Sequence, residues 1–396
     1  MPRLIRFTIM MTVLMMLLVN IPSFSSASAE SIDTPKLVCL NIGKADAMLL
    51  FADDRTYLID TGYEHTYPAL DTALDAMNVT HLDGVFLTHV DKDHKGGLAS
   101  LAKSDVAIDQ WYAASIYYDV KPEKHPIVTA SAIRGQEVTW LNAGDVIPVS
   151  DTASFTVLGP LKTDTENENN NSLVLRFDSP HGSMLLCGDM KEEEERDLLS
   201  AGLLSPADLL KVGHHGDNKA TTQPFLNAVQ PKAAVISTST LEETDTPAFQ
   251  TMARLKAVEA ETYVTQEAND ALLCTLENGA VTVQDVIYNH IPAKIEGLTL
   301  AIDRINDVAA IGNSTGETVT LSGAYLYSSK GNDVFELPDI TLMPGESYLI
   351  GSEKSTLNVN FICQKKRIWH EEDRDVGILY DAYGRFLCGT DNGRAE

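Results

Sequence analysis

The sequence predicts an α/β domain, built from sheets covered by helices, followed by a small all-β sandwich. Three observations carry this. From Lys36 to about Ile287 short apolar runs alternate with helix-like segments, the pattern of layered sheets and helices. After about His290 helical periodicity stops, and short strand-like runs are punctuated by Gly, Asn, Pro and Ser, as in sandwiches. Several apolar runs of the first region end in Asp or His, where functional side chains gather in open sheets. A length of 396 residues accommodates two domains, each with its own core.

The chain opens with Arg3 and Arg6, an apolar run from Phe7 to about Ile21, and the small-x-small triplet Ala27-Ser28-Ala29. This is the pattern of a secretory signal peptide spanning 1–29. The apolar run is short for a membrane span of ~20 residues. No cysteine stands at the cleavage point and no later segment is long and apolar enough to cross a bilayer. The expected location is extracellular, either released or retained at the cell surface.

Strands are expected at Leu37–Ile42, Ala47–Phe51, Thr56–Ile59, Val85–Thr88, Phe155–Leu158, Leu173–Phe177, Met184–Cys187, Leu209–Val212 and Ala233–Ser237. Helices are expected at Tyr67–Met77, Lys191–Ala201, Pro224–Val229 and Pro247–Ala257. The boundary between an α/β domain of 30–290 and a β-sandwich of 291–396 falls near Ile291-Pro292. Strands of the second part are expected at Thr299–Arg304, Val319–Leu321, Tyr325–Tyr327, Ser347–Ile350 and Gly377–Tyr380.

A net charge of -26 argues against tight, sequence-independent nucleic-acid binding, which needs a basic surface. It does not exclude an enzyme that visits a phosphodiester with the help of cations. Cys39, Cys187 and Cys274 lie in apolar runs and read as small buried hydrophobes. Cys363 and Cys388 either pair, as an oxidising compartment permits, or stay free. Glu192–Glu195 read as a solvated helix start favoured by the helix dipole. Trp111, Tyr112, Tyr117 and Tyr118 read as core packing or a substrate-facing wall.

The site is legible in four strand ends. Tyr57-Leu58-Ile59 runs into Asp60, Val85-Phe86-Leu87-Thr88 into His89, Met184-Leu185-Leu186-Cys187-Gly188 into Asp189, and Leu209-Leu210-Lys211-Val212-Gly213 into His214-His215-Gly216. The second is the most specific, because His89, Asp91, Asp93 and His94 offer four ligands within six residues. Gly96-Gly97 then let the backbone pass close. Mixed imidazole and carboxylate ligands suit Zn, Mn or Fe, and so many in one loop can serve two adjacent ions.

These motifs, in this order, resemble the metallo-β-lactamase superfamily, in the branch that includes the hydrolase domain of the competence protein ComEC. That branch writes the superfamily's HxHxDH as HxDxDH, as in His89–His94. It also carries elements similar to Asn41-Ile42-Gly43-Lys44-Ala45-Asp46-Ala47 and Asn170-Asn171-Ser172-Leu173-Val174-Leu175. The resemblance spans Lys36 to Val286 and implies an αββα sandwich binding one or two Zn2+ or Mn2+ ions.

Residue by residue, the resemblance implies that His89 and Asp91 hold one ion, that Asp93, His94 and His215 hold the other, and that Asp189 bridges them. Asp60 would orient the cluster. Asn170 stands where other branches carry a histidine ligand, leaving the first subsite weaker or empty. His215, which directly precedes the glycine, is preferred as ligand over His214, which would face a substrate oxyanion. The implied reaction is hydrolysis by a metal-activated water. Asp93 would steer the nucleophile, and Lys44, Asn170, Ser172 or His214 would stabilise developing charge. Three departures touch substrate contacts: Lys44-Ala45 replaces the branch's Gln-Gly, Asp217 replaces a Ser, and Thr244-Asp245-Thr246-Pro247 lacks the histidine of the branch.

Asn313, Leu321-Ser322-Gly323, Leu342-Met343-Pro344-Gly345, Trp369, Leu379-Tyr380-Asp381 and Gly384 resemble the lamin-tail domain, an immunoglobulin-like sandwich, with Ala324 where an aromatic is common. The resemblance implies a module that attaches the enzyme to a polymer or cell surface. Three functions compete: a secreted phosphodiesterase or nuclease acting on DNA, a phosphoesterase of cell-wall polymers or choline-phosphate groups, and a surface-binding protein with a decayed active site. A β-lactamase role would rest on shared fold alone.

Overall fold

The computed structural model describes residues 34–117, 122–243, 245–288, 295–330, 333–369 and 375–390. The expected signal peptide and the Ile291-Pro292 boundary lie outside them. Among the described residues no helix is long and apolar enough to cross a membrane.

Two sheets form the centre. The first runs, in spatial order, Ala280–Val286, Ala271–Glu277, Lys36–Leu40, Met48–Ala52, Arg55–Ile59, Gly84–Leu87, Trp111–Ala114 and Val138–Leu141. The second runs Glu261–Val264, Ala233–Ile236, Leu209–Lys211, Gly182–Leu186, Val174–Ser179, Ser154–Gly159 and Val146–Pro148.

Side chains alternate across a strand with period two, and here both faces are covered. Leu37, Cys39, Met48, Leu50, Ile59 and Phe86 of the first sheet meet Phe155, Val157, Leu175, Phe177, Met184 and Leu186 of the second. The intervening residues Leu185, Leu210, Ala234 and Ile236 face away from that layer. They pack with Leu198, Phe225, Val229 and Leu255, from the helices Glu192–Ser200, Gln223–Val229 and Phe249–Ala257. Burial on both sides explains the nearly continuous apolar runs. Helices Tyr67–Ala76, Leu98–Lys103 and Pro126–Ile133 cover the first sheet's other face. The result is the expected helix–sheet–sheet–helix sandwich.

In the hairpin Ala271–Glu277 to Ala280–Val286 the inner strand holds the apolar run around Cys274, while the outer strand was not expected, because it alternates with exposed positions. Its signal is the turn Asn278-Gly279, both left-handed at φ 53° and 76°, the conformation that two-residue hairpins need. Trp111 is fully buried, and Tyr112 stacks on Phe86 at 4.6 Å, so this aromatic pair is core. Tyr117 packs beside Trp140 and His125; Tyr118 lies outside the described residues.

From Leu298 onward the described elements are all strands. Leu298–Asp303, Val308–Asn313, Ser347–Gly351 and Phe361–Ile362 form one sheet, and Asp333–Glu336, Tyr325–Ser328, Gly377–Tyr380 and Phe386–Gly389 another. Leu300, Ile311, Leu326, Ile350, Trp369 and Leu379 form the core between them. Cys363 and Cys388 are buried free thiols, as are Cys39, Cys187 and Cys274.

The solvated reading of Glu192–Glu195 needs correction: Glu194 and Glu195 are buried. Glu195 accepts hydrogen bonds from the Thr221 and Thr222 backbone N–H groups and the Thr222 hydroxyl. It thereby fixes the chain entering the helix Gln223–Val229.

Candidate metal centre

Within each sheet, two neighbouring parallel strands carry the site. Arg55–Ile59 pairs with Gly84–Leu87, and Gly182–Leu186 with Leu209–Lys211. Parallel pairing places their carboxyl ends side by side, which brings Asp60, His89, Asp189 and the His214-His215 turn to one end of the sandwich. Glycine is required where the metal loop passes its neighbours. A Cβ at Gly96 would meet the Glu64 backbone nitrogen at 2.2 Å, and one at Gly97 the Thr61 carbonyl oxygen at 2.5 Å.

His94 is fully buried between two carboxylates. Its Nδ1 lies 2.7 Å from Asp60 Oδ2, and its Nε2 lies 3.2 Å from Asp189 Oδ1. Asp60 is itself fixed, accepting from the Thr88 backbone N–H at 2.8 Å and the Thr88 hydroxyl at 2.7 Å. A carboxylate on Nδ1 holds that nitrogen protonated and leaves Nε2 as donor toward an ion. His215 is arranged alike: Nδ1 lies 2.7 Å from the Ser237 carbonyl oxygen. Its Nε2 lies 3.3 Å from Asp93 Oδ2 and 3.4 Å from Asp189 Oδ1.

Backbone strain sits beside this histidine. His214 and His215 both take left-handed φ, 45° and 54°, a conformation costly for side chains other than Gly and Asn. It turns the two imidazoles apart, so only His215 enters the buried cluster.

Asp93, His94, Asp189 and His215 each offer an atom within 4.8 Å of the others. All four are buried. His94 Nε2, His215 Nε2 and Asp189 Oδ1 make no hydrogen bond, and neither does His89 Nε2. Buried polar atoms normally find partners. Several orphans converging on one point, from imidazole and carboxylate, fit a divalent ion with N and O ligands.

The electrostatics agree. Burial opposes a charged His215, but Asp189 and Asp93 outweigh it and push its pKa up to about 9. Burial likewise opposes charge on Asp189, yet His215 and His94 hold it well below the carboxylate range. The carboxylates favour positive charge at this point, and an ion bound here would displace the imidazole protons and meet the same carboxylates.

The other expected subsite is looser. His89 Nε2 lies 3.6 Å from Asp91 Oδ2 and 3.7 Å from Asp189 Oδ2, and the Asp91 side chain is 47% exposed. Asp189 thus faces both groups, one oxygen to each.

Among the charge-stabilising candidates, Lys44 reaches the site, with Nζ 3.5 Å from Asp93 Oδ2. Burial disfavours its charge, but Asp93, Asp189, Glu243 and Glu242 raise its pKa, so it stays an ammonium. His214 stands at the rim, its Nε2 3.8 Å from Asp189 Oδ2 and 3.0 Å from the Asn169 amide nitrogen.

Two expected roles are corrected. The Asn170 side chain is engaged elsewhere, donating to Asp164 at 2.7 Å and Glu193 at 3.1 Å and accepting from Lys191 N at 3.2 Å. The neighbouring Asn169 touches the site instead, through His214. Ser172 is fully buried, and its hydroxyl accepts from the Asp189 backbone N–H at 3.0 Å. It positions Asp189 rather than meeting developing charge.

Sequence reading also missed Asp46 and Lys211, a fully buried ion pair at 2.8 Å. Asp46 Oδ1 lies 3.9 Å from His215 Nδ1. The signal was available: a lysine in the apolar strand Leu209–Lys211 must find a buried acid.

Residues 41–240 match the Metallo-beta-lactamase superfamily. The chain belongs to that superfamily. It is 32% identical over 216 residues to ComE operon protein 3 of Bacillus subtilis, covering 50% of this chain and 27% of that protein. It is 30% identical over 200 residues to Competence protein ComA of Neisseria gonorrhoeae, covering 49% and 26%. With Recombination protein 2 of Haemophilus influenzae the identity is 26% over 221 residues, covering 54% and 26%. These are ComEC-like relatives, the branch whose motifs this metallo-β-lactamase chain carries. The chain spans about a quarter of their length. Among solved structures, the metallo-beta-lactamase fold protein YhfI of Bacillus subtilis matches with TM-score 0.39 and 13% identity, over 63% of this chain and 100% of that one.

Proposed function

We propose that this protein is a secreted metal-dependent phosphodiesterase, a nuclease acting on extracellular DNA. The observation that carries the reading is the convergence of Asp93, His94, Asp189 and His215, with the Lys44 ammonium on the Asp93 carboxylate. The names of two relatives, a competence protein and a recombination protein, support DNA as the substrate. Zn2+ or Mn2+ fits the donor set, and such an ion when bound supplies Lewis acidity and a water acidic enough to attack near neutral pH.

The chain's own residues do the rest. Asp60 and the Ser237 carbonyl hold His94 and His215 in one tautomer. Asp93 accepts a proton or steers the nucleophile. Lys44 offsets negative charge that grows on the attacked phosphate, and His214 adds a rim donor. Export through residues 1–29 and surface attachment through the C-terminal strands belong to the same proposal and are supported by sequence pattern alone.

The test uses purified residues 30–396 on linear DNA and on bis(p-nitrophenyl) phosphate with Mn2+ or Zn2+, beside chelator and Asp189→Ala controls. The expected result is cutting of DNA that chelator and mutation abolish. Cleavage of the small diester alone would redirect the reading to wall polymers. Bound metal with no diester cleavage would refute it.

A further inference from the structure

The C-terminal strands carry three tyrosines, Tyr325, Tyr327 and Tyr380, that pack against His65 and Glu242 of the α/β domain. Tyr327 stacks on the His65 ring at 4.3 Å, and the Tyr325 hydroxyl donates to the His65 carbonyl at 2.6 Å. The Tyr380 hydroxyl donates to Glu242 Oε1 at 2.6 Å. The other Glu242 oxygen accepts the Lys44 backbone N–H at 2.9 Å. Lys44 Nζ then reaches Asp93 at 3.5 Å. The approach of Glu242 depends on Gly43, since any Cβ there would overlap the carboxylate.

We infer that Tyr380 and Glu242 are positioning residues that set the Lys44 loop against the metal centre, so that the C-terminal strands complete the active site. A carboxylate held from both sides has one orientation. Burial raises the Glu242 pKa, opposed by the hydrogen bonds from Tyr380 and the Lys44 N–H. The two donors therefore offset part of its desolvation. With either gone, Glu242 is free to turn toward water, and Lys44 loses the anchor that aims its ammonium. The arrangement gives the C-terminal strands a role beyond attachment. It rests on the phosphodiesterase reading only for the rate effect, and its structural half is tested separately.

The test compares the mature chain with Tyr380→Phe, Glu242→Ala and Glu242→Gln, and with Tyr383→Phe as control, Tyr383 being exposed on the adjacent turn. Hydrogen–deuterium exchange of 41–47 is read first. Tyr380→Phe, which removes one oxygen, and Glu242→Ala should speed exchange there by about tenfold or more, the worth of a hydrogen bond to a charged group. Glu242→Gln still offers an acceptor to Lys44 N–H and should restore protection. Tyr383→Phe should match wild type. Unchanged exchange in both Tyr380→Phe and Glu242→Ala overturns the inference, as does an equal rise in Tyr383→Phe. On bis(p-nitrophenyl) phosphate, kcat should fall about tenfold in Tyr380→Phe with KM near wild type; an unchanged kcat overturns the catalytic half. If wild type cleaves no diester, the proposed function fails while the exchange result still decides the positioning.

Discussion

Lys211 Nζ lies 2.8 Å from Asp46 Oδ2, and neither side chain has any exposure to solvent. The pair ties the loop before Met48–Ala52 to the strand Leu209–Lys211, with Asp46 Oδ1 3.9 Å from His215 Nδ1. Burial alone would neutralise both groups, but burial of Lys211 is outweighed by Asp46 and its pKa is raised. Burial of Asp46 is likewise outweighed by Lys211, and its pKa is lowered.

Breaking this pair from one side should be severe. Lys211→Met leaves Asp46 buried without its cation and should cost about 3–5 kcal/mol, read by urea denaturation. Lys211→Met with Asp46→Asn should recover part of that loss. A single variant as stable as wild type would show that the pair carries no weight.

Asp60 should govern metal affinity more than stability. Its φ of 59° is tolerated by asparagine, so Asp60→Asn should fold. The amide no longer fixes the charge and tautomer of His94, and metal affinity should drop about 10–100-fold in chelator competition. Unaltered affinity would deny the orienting role.

His125 should make the fold acid-sensitive. It is buried, packed against Tyr117 and Trp140, and burial, aided by Lys95, lowers its pKa to about 4. Unfolded, it titrates near ~6.5. Above ~6.5 neither state is protonated and the residue costs nothing. As pH falls from ~6.5 to ~4 only the unfolded chain takes the proton, so stability drops by up to about 3 kcal/mol. Urea midpoints of wild type and His125→Leu at pH 7.5 and 4.5 should show wild type losing more between the two. Equal losses would contradict this.

Glu195 should be worth more than a surface acid. Glu195→Ala strands the Thr221 and Thr222 donors and should cost about 1–3 kcal/mol in thermal unfolding, whereas Glu192→Ala should be nearly neutral. Matching melting points for both would restore the solvated reading.

Where apolar runs meet chemistry, the sequence was legible. Met184–Leu186 and Leu209–Lys211 are buried on both faces, so they read as strands. A buried strand running into Asp or His has few ordinary explanations. What stayed hidden depends on neighbours distant in the chain. Asn169 and Asn170 differ only in which side of a short turn each faces. Ser172 and Lys211 are recognised by what packs on them, from Asp189 and Asp46. The Tyr380–Glu242 contact joins residues far apart in sequence, and no local pattern encodes it.

Metal content tests the central claim most directly. The protein of residues 30–396, purified without added metal and then loaded with Zn2+ or Mn2+ and desalted, is measured by inductively coupled plasma mass spectrometry beside His94→Ala and Asp189→Ala. Wild type should retain one or two divalent ions per chain, and both variants should lose them while keeping their secondary structure. A metal-free wild type, or variants that keep the full complement, would contradict the assignment of Asp93, His94, Asp189 and His215 as the metal centre.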